Sequence, residues 1–184
     1  MSVFVILLVL LAILVLAGIR MYNTLIRLRE SVRNAWSQID VQLKRRHDLV
    51  PNLVEVARKY MEHERGTLEG VTQARQQAVD AKNLPEKQAA ENFLTGALRS
   101  LFAVVENYPN LKADSQMMKL HEELTSTENR IAFARQYYND EANRYNVAVA
   151  TVPNNMVAGL FGFEKFDFFE VEDTGERAVP KVSF

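Results

Sequence analysis

The chain has 184 residues, a formal net charge of −1, 48% hydrophobic side chains and no cysteine. That length suffices for one domain plus a membrane segment. The absence of cysteine excludes disulfides, thiol nucleophiles and lipid attachment through a thiol, and the near-neutral charge lacks the basic footprint of a nucleic-acid binder.

Residues 1–19, MSVFVILLVLLAILVLAGI, contain no charged or amide side chain, and Arg20 follows them. Residues 2–19 as a helix would span roughly 27 Å at about 1.5 Å per residue, against a hydrocarbon core of about 30 Å. The expectation is an uncleaved transmembrane anchor over 1–20. Val3, Phe4, Leu10 and Leu16 then face lipid, with Phe4 and Tyr22 at the two interfaces. A cleaved signal peptide fits less well: no Lys or Arg precedes the run, the run exceeds the usual apolar region, and Leu16-Ala17-Gly18 is a poor cleavage site. Past the run come Arg20, Arg27, Arg29, Arg33, Lys44, Arg45 and Arg46 against only Glu30 and Asp40. The positive-inside rule puts this side in the cytoplasm and the short amino terminus outside.

Apolar residues then recur at Leu25, Leu28, Val32, Trp36, Ile39, Leu43, Val50, Val54 and Ala57, in steps of mostly three and four. This is the stripe of an amphipathic helix, with Trp36, Ile39 and Leu43 inward. No Pro or Gly interrupts residues 21–50, so anchor and first helix read as one rod. Pro51 predicts a turn or kink near Asp48-Leu49-Val50-Pro51, with Pro51 opening a second helix that continues to about Lys82 across Gly66 and Gly70. Asp48 would shape that turn, and Asp40 and Lys44, spaced i, i+4, would form a weak surface pair. Asn83-Leu84-Pro85 is a break. A third helix follows from Glu86 to about Glu106, with Ala90, Phe93, Ala97, Leu98 and Leu101 inward. After Asn107-Tyr108-Pro109-Asn110 the fourth and most regular helix begins, capped by Asp114 or Ser115 and closed by Pro153. No alternating strand pattern occurs. The expected fold is all-α: a single transmembrane helix followed by an antiparallel four-helix bundle of long helices over 21–153. Four helices return the chain to the membrane; three, with Pro51 as a mere kink, would leave the tail pointing away.

The segment 154–184 begins with a dense aromatic cluster. Phe161, Phe163, Phe166, Phe168 and Phe169 are half of the chain's 10 phenylalanines. They could cap the bundle core, form a docking surface for a neighbouring subunit, or touch the membrane interface, a role that Glu164, Asp167 and Glu170 disfavour. Residues 172–184 read as a loose terminus. For chemistry there is little. No GxSxG elbow or GxxxxGK[ST] loop occurs. His47, His63 and His121 lack the acidic residue three positions earlier that a di-iron bundle requires. No catalytic, cofactor or metal residue is assigned.

Ala35-Trp36-Ser37-Gln38-Ile39-Asp40 through Arg46, with Asp48-Leu49-Val50-Pro51-Asn52-Leu53-Val54, resembles the signature of the LemA family of bacterial membrane proteins. Glu128-Asn129-Arg130-Ile131-Ala132-Phe133-Ala134-Arg135-Gln136-Tyr137-Tyr138-Asn139-Asp140 is similar to a second stretch of it, as are Pro153-Asn154 and Phe161-Gly162-Phe163. The resemblance implies a bacterial cell-membrane protein with one transmembrane helix, a helical bundle and no assigned enzyme activity. Two functions follow as expectations. One is a non-enzymatic scaffold, tied to the bilayer through residues 2–19, that self-associates or binds another membrane protein. The other is a ligand or metal sensor, or an enzyme, with its site in the bundle core.

Overall fold

The computed structural model describes residues 2–169, and every regular element among them is a helix. Helix α1 (Ser2–Arg58) runs unbroken for 57 residues, roughly 85 Å at about 1.5 Å per residue. Its first part is the one stretch among the described residues that is long and apolar enough to cross a membrane, and none of it is buried against the rest of the chain. It is followed by α2 (Arg65–Asp80), α3 (Leu84–Val105), the single turn α4 (Pro109–Lys112), α5 (Ser115–Ala150) and α6 (Asn154–Phe161).

Pro51 lies inside α1, so the expected turn at 48–51 is absent and Asp48 is an exposed mid-helix residue. A proline there denies the carbonyl of His47 its helical donor. That carbonyl accepts instead from Arg75 Nε on α2, at 2.7 Å. The reversal comes later, at residues 59–64, where i→i+3 bonds from Lys59 to Val56 and Tyr60 to Ala57 tighten the end of α1. Met61 plugs the turn, fully buried. The expected helix over 51–82 is therefore the end of α1, a turn and α2. The count of long helices is still four, because the turn has moved rather than vanished.

Other termini follow their local chemistry. Asn83 caps α3 by accepting from Glu86 N–H, and Asp114 caps α5 by accepting from Gln116 and Met117. Tyr60 donates to Asp114 at 3.0 Å, fastening the first turn to the start of α5.

Contacts along α1 fix the directions. Lys87 of α3 pairs with Asp40, so Asp40 reaches across helices rather than to Lys44. Glu123 lies beside Arg45, and Tyr138 packs edge-on against Trp36. Helices α1 and α3 thus run away from the apolar segment, and α2 and α5 run back. Two cores result. The distal one, from Val50 and Leu53 to Leu94, Leu101 and Leu124, is shared by all four long helices. The proximal one, from Leu25, Ile39 and Leu43 to Ile131 and Tyr145, lies between α1 and α5 and is completed by Ala158, Phe163 and Phe169. The four-helix bundle is therefore distal. The proximal half is a helix pair with the carboxyl-side segment as its third layer. Phe93, expected inward, is exposed on α3.

Candidate functional site

Three constellations stand out: a buried charge cluster, a clamped aromatic segment and an open groove. The cluster sits where the two cores meet. Arg46 and Glu91 are 2% and 1% exposed, although charged side chains are seldom buried unless paired. Their side chains form an ion pair, and Arg46 also donates to Thr95 Oγ1 at 2.9 Å. His47 Nε2 meets the other Glu91 oxygen at 2.7 Å. Burial alone would raise the Glu91 carboxyl. The His47 hydrogen bond and the Arg46 charge outweigh it and hold the carboxyl below its ordinary value. Beside Arg46 opens a cleft of about 220 Å³ reaching Arg99, His121, Thr125 and Glu128, with His121 stacked on Phe102 at 4.1 Å.

The aromatic segment does not hang free. Phe166 N–H donates to Asn146 Oδ1 at 2.9 Å, and Asn146 Nδ2 donates back to the Phe166 carbonyl at 2.8 Å. Asn139 makes the same reciprocal pair with Phe169, at 2.9 and 3.0 Å. The two asparagines are two turns apart on α5, about 10.5 Å of helix, and the two phenylalanines are about 10 Å apart in extended chain. The registers match, so each asparagine amide does for the segment what a neighbouring strand would do. Tyr138 adds a fifth bond, to the Asp167 carbonyl at 3.0 Å.

The five phenylalanines consequently divide. Phe163 and Phe169 are buried and Phe166 is half-buried. Phe169 stacks on Trp36 at 5.6 Å, and Phe166 meets Tyr145 edge-on at 5.1 Å. Phe161 and Phe168 remain exposed. Tyr22, read as an interface residue, is also a structural one, its ring 4.8 Å from Phe161 and 5.6 Å from Phe163. Trp36 is half-buried, Ile39 and Leu43 are core, and Val3, Phe4, Leu10 and Leu16 are exposed along the apolar segment. Glu170 and residues 172–184 lie outside the described residues.

Replacing both Asn139 and Asn146 by alanine is expected to free the segment. Each leaves a backbone N–H and C=O unpaired, at about 1–3 kcal/mol per group. Loss of the Phe169 ring from Trp36, the only tryptophan, then shifts its emission, and residues 162–169 become protease-sensitive. Unchanged emission would show that ring packing alone holds the segment.

The groove, about 520 Å³, lies on one side of the α1–α5 pair; Gln38, Val41, Gln42, Arg130, Phe133 and Tyr137 are among the residues that line it. Val41 is 62% and Phe133 71% exposed, large apolar groups with nothing over them. Neither stands out in the sequence, since Phe133 falls outside the α5 stripe and Val41 sits between inward positions. Among the described residues no group of three or more His, Asp or Glu is placed to hold a metal ion.

The sequence pattern of the LemA family matches residues 35–184. The chain is similar to Magnetosome protein MamQ 2 of Paramagnetospirillum magneticum, 26% identical over an alignment covering 86% of this chain and 68% of that protein. It is 24% identical, with the same coverage, to Magnetosome protein MamQ of Magnetospirillum gryphiswaldense. It is 29% identical to Protein LemA of Metamycoplasma hominis, over 81% of this chain and 66% of that one.

Proposed function

We propose, from the premise that the chain belongs to the LemA family, that it is a membrane-anchored scaffold without enzymatic activity that assembles laterally with copies of itself. The supporting observation is the continuity of α1, which joins the apolar segment and the groove in one helix. Val41 stands roughly 33 Å beyond Ile19 at about 1.5 Å per residue. Anchored copies sharing one orientation carry their grooves at that same height, and confinement to a plane raises their effective concentration. The occupant of the groove is therefore a second copy, apolar ring against apolar ring, around a two-fold axis normal to the membrane. In the orientation favoured by the basic residues after Ile19, this assembly lies on the cytoplasmic face of the inner membrane as a single-pass protein. The MamQ relatives are named as magnetosome proteins.

Because the chain has no cysteine, single introduced thiols report contacts cleanly. In native membranes, Val41→Cys and Phe133→Cys are expected to cross-link to dimers with a short bis-maleimide. Ser100→Cys, exposed on α3, stays monomeric. Monomers at all three positions would overturn the proposal.

The buried cluster favours a second reading, a sensor of small anions. Arg46 Nε is buried and has no hydrogen-bond partner among the described residues, and Arg99 and His121 share the adjoining cleft. Inorganic phosphate then raises the melting temperature of the detergent-solubilised chain, and Arg99→Ala abolishes the rise. No shift with phosphate removes this reading.

A further inference from the structure

At the membrane end of the bundle the chain reverses direction through α6. Helix α5 arrives there, and the extended segment 163–169 leaves again, clamped along α5 by Asn146 and then Asn139. No charged side chain occurs between Arg144 and Glu164. Within that stretch Val152, Met156, Leu160 and Phe161 are 72%, 73%, 79% and 58% exposed. Met156 and Leu160 are one helical turn apart on α6 and Phe161 borders them, while Val152 is exposed in the turn that leads into the helix. Ala158, on the opposite side, is buried in the proximal core.

The position of this face identifies what covers it. The Phe161 ring is 4.8 Å from Tyr22, and Tyr22 is only about 4.5 Å along the helix from Ile19, the last residue of the apolar run. The exposed face of α6 is thus continuous with the surface of the apolar segment where that segment ends. Of the acidic residues that argue against membrane contact, Glu164 directly follows Phe163 and Asp167 is carried away. Asp167 is bound through its carbonyl to Tyr138, two turns of α5 farther from the membrane than Tyr145. Arg29 borders the end of α6 instead, its guanidinium 5.3 Å from the centre of the Phe163 ring, and cations favour an anionic lipid surface.

We propose that α6 is an interfacial foot: its exposed Met156, Leu160 and Phe161 lie in the headgroup–acyl boundary of the bilayer that α1 crosses. The inference rests on residues 2–19 spanning that bilayer. A single helix leaves tilt and rotation free, whereas a helix plus a foot packed against it at Tyr22 sets both. The foot gives every copy the same facing as well as the same height, which a defined lateral assembly requires.

The test uses the full chain in vesicles of phosphatidylcholine and phosphatidylglycerol, with an environment-sensitive fluorophore on one introduced thiol and nitroxides at shallow or deep positions of the lipid chains. The expected result is that a label at Leu160→Cys loses emission to the shallow nitroxide more than to the deep one. A label at Leu10→Cys loses emission to the deep nitroxide, and one at Ser100→Cys to neither. A Leu160 label unquenched while the Leu10 label is quenched overturns the foot and leaves the anchor intact. If that unquenched label is also blue-shifted, a second copy covers the face instead. Quenching at neither Leu10 nor Leu160 overturns the anchor and the foot together. Leu160 is almost wholly exposed, so its replacement leaves the fold undisturbed.

Discussion

Glu91→Leu is expected to destabilise the bundle by about 3–5 kcal/mol, the cost of leaving one member of a buried ion pair alone. Glu91 receives both Arg46 and His47, and with it gone the Arg46 guanidinium stays 2% exposed with only Thr95 Oγ1 and the residue 91 carbonyl as acceptors. The urea midpoint of the detergent-solubilised chain, followed by far-ultraviolet circular dichroism, measures the loss. The paired replacement Arg46→Met with Glu91→Leu is expected to recover most of it, because apolar groups of similar volume pack where the pair stood. A double variant as unstable as the single would show that the ions do not act as a unit.

The same cluster gives a pH dependence of known sign. The native Glu91 carboxyl is held below its ordinary value of 4.5. The unfolded chain therefore binds the proton more readily, so this contribution is fully present above about pH 5 and fades as the pH falls through 4.5 toward the lowered native value. In Glu91→Leu that part of the acid sensitivity disappears. An unchanged acid limb would assign it to other carboxylates.

What could be read in advance was whatever announces itself within a few residues. The apolar run, the Asp114 cap and the stripe through Ile39 and Leu43 are local signals, and the structure has each of them; the break expected at 83–85 falls at 81–83, because Asn83 caps α3 and Leu84 and Pro85 form its first turn. The turn at 59–64 was hidden because the apolar spacing keeps its phase across it, so that Gly66 was the only mark. Arg46 was hidden by company: in the run Lys44-Arg45-Arg46 it passes for a solvated residue. Yet it follows Leu43 by three and precedes Val50 by four, in phase with the core, and Glu91 is likewise three before Leu94. A charge on an apolar stripe is a legible sign of a buried partner, though not of which partner. The asparagine clamp carried the weakest signal, two asparagines seven residues apart, since its partners are backbone atoms of a distant segment. The groove gave none, because an exposed Phe133 means little until α1 is seen beside it.

The second large effect concerns Arg75, which bridges the gap that Pro51 leaves in α1. Arg75→Ala is expected to cost about 1–3 kcal/mol, because the His47 carbonyl loses its donor at 2.7 Å and has no helical N–H to replace it. Pro51→Ala restores that N–H, stabilises α1 by up to about 3 kcal/mol and makes Arg75 largely dispensable. The two changes are therefore non-additive, and a double-mutant cycle of urea midpoints gives their coupling directly. An Arg75→Ala cost that is the same with and without the Pro51→Ala change would show that the arginine serves α2 alone. A proline whose carbonyl gap is unfilled is also where a helix kinks. The kink would fall distal to Val41, on the far side of the groove from the apolar segment. Arg75→Ala should accordingly loosen the distal core while cross-linking through Val41→Cys continues. If cross-linking fails as well, copies associate through the distal four-helix end, and the height at which α1 holds its groove is not what brings them together.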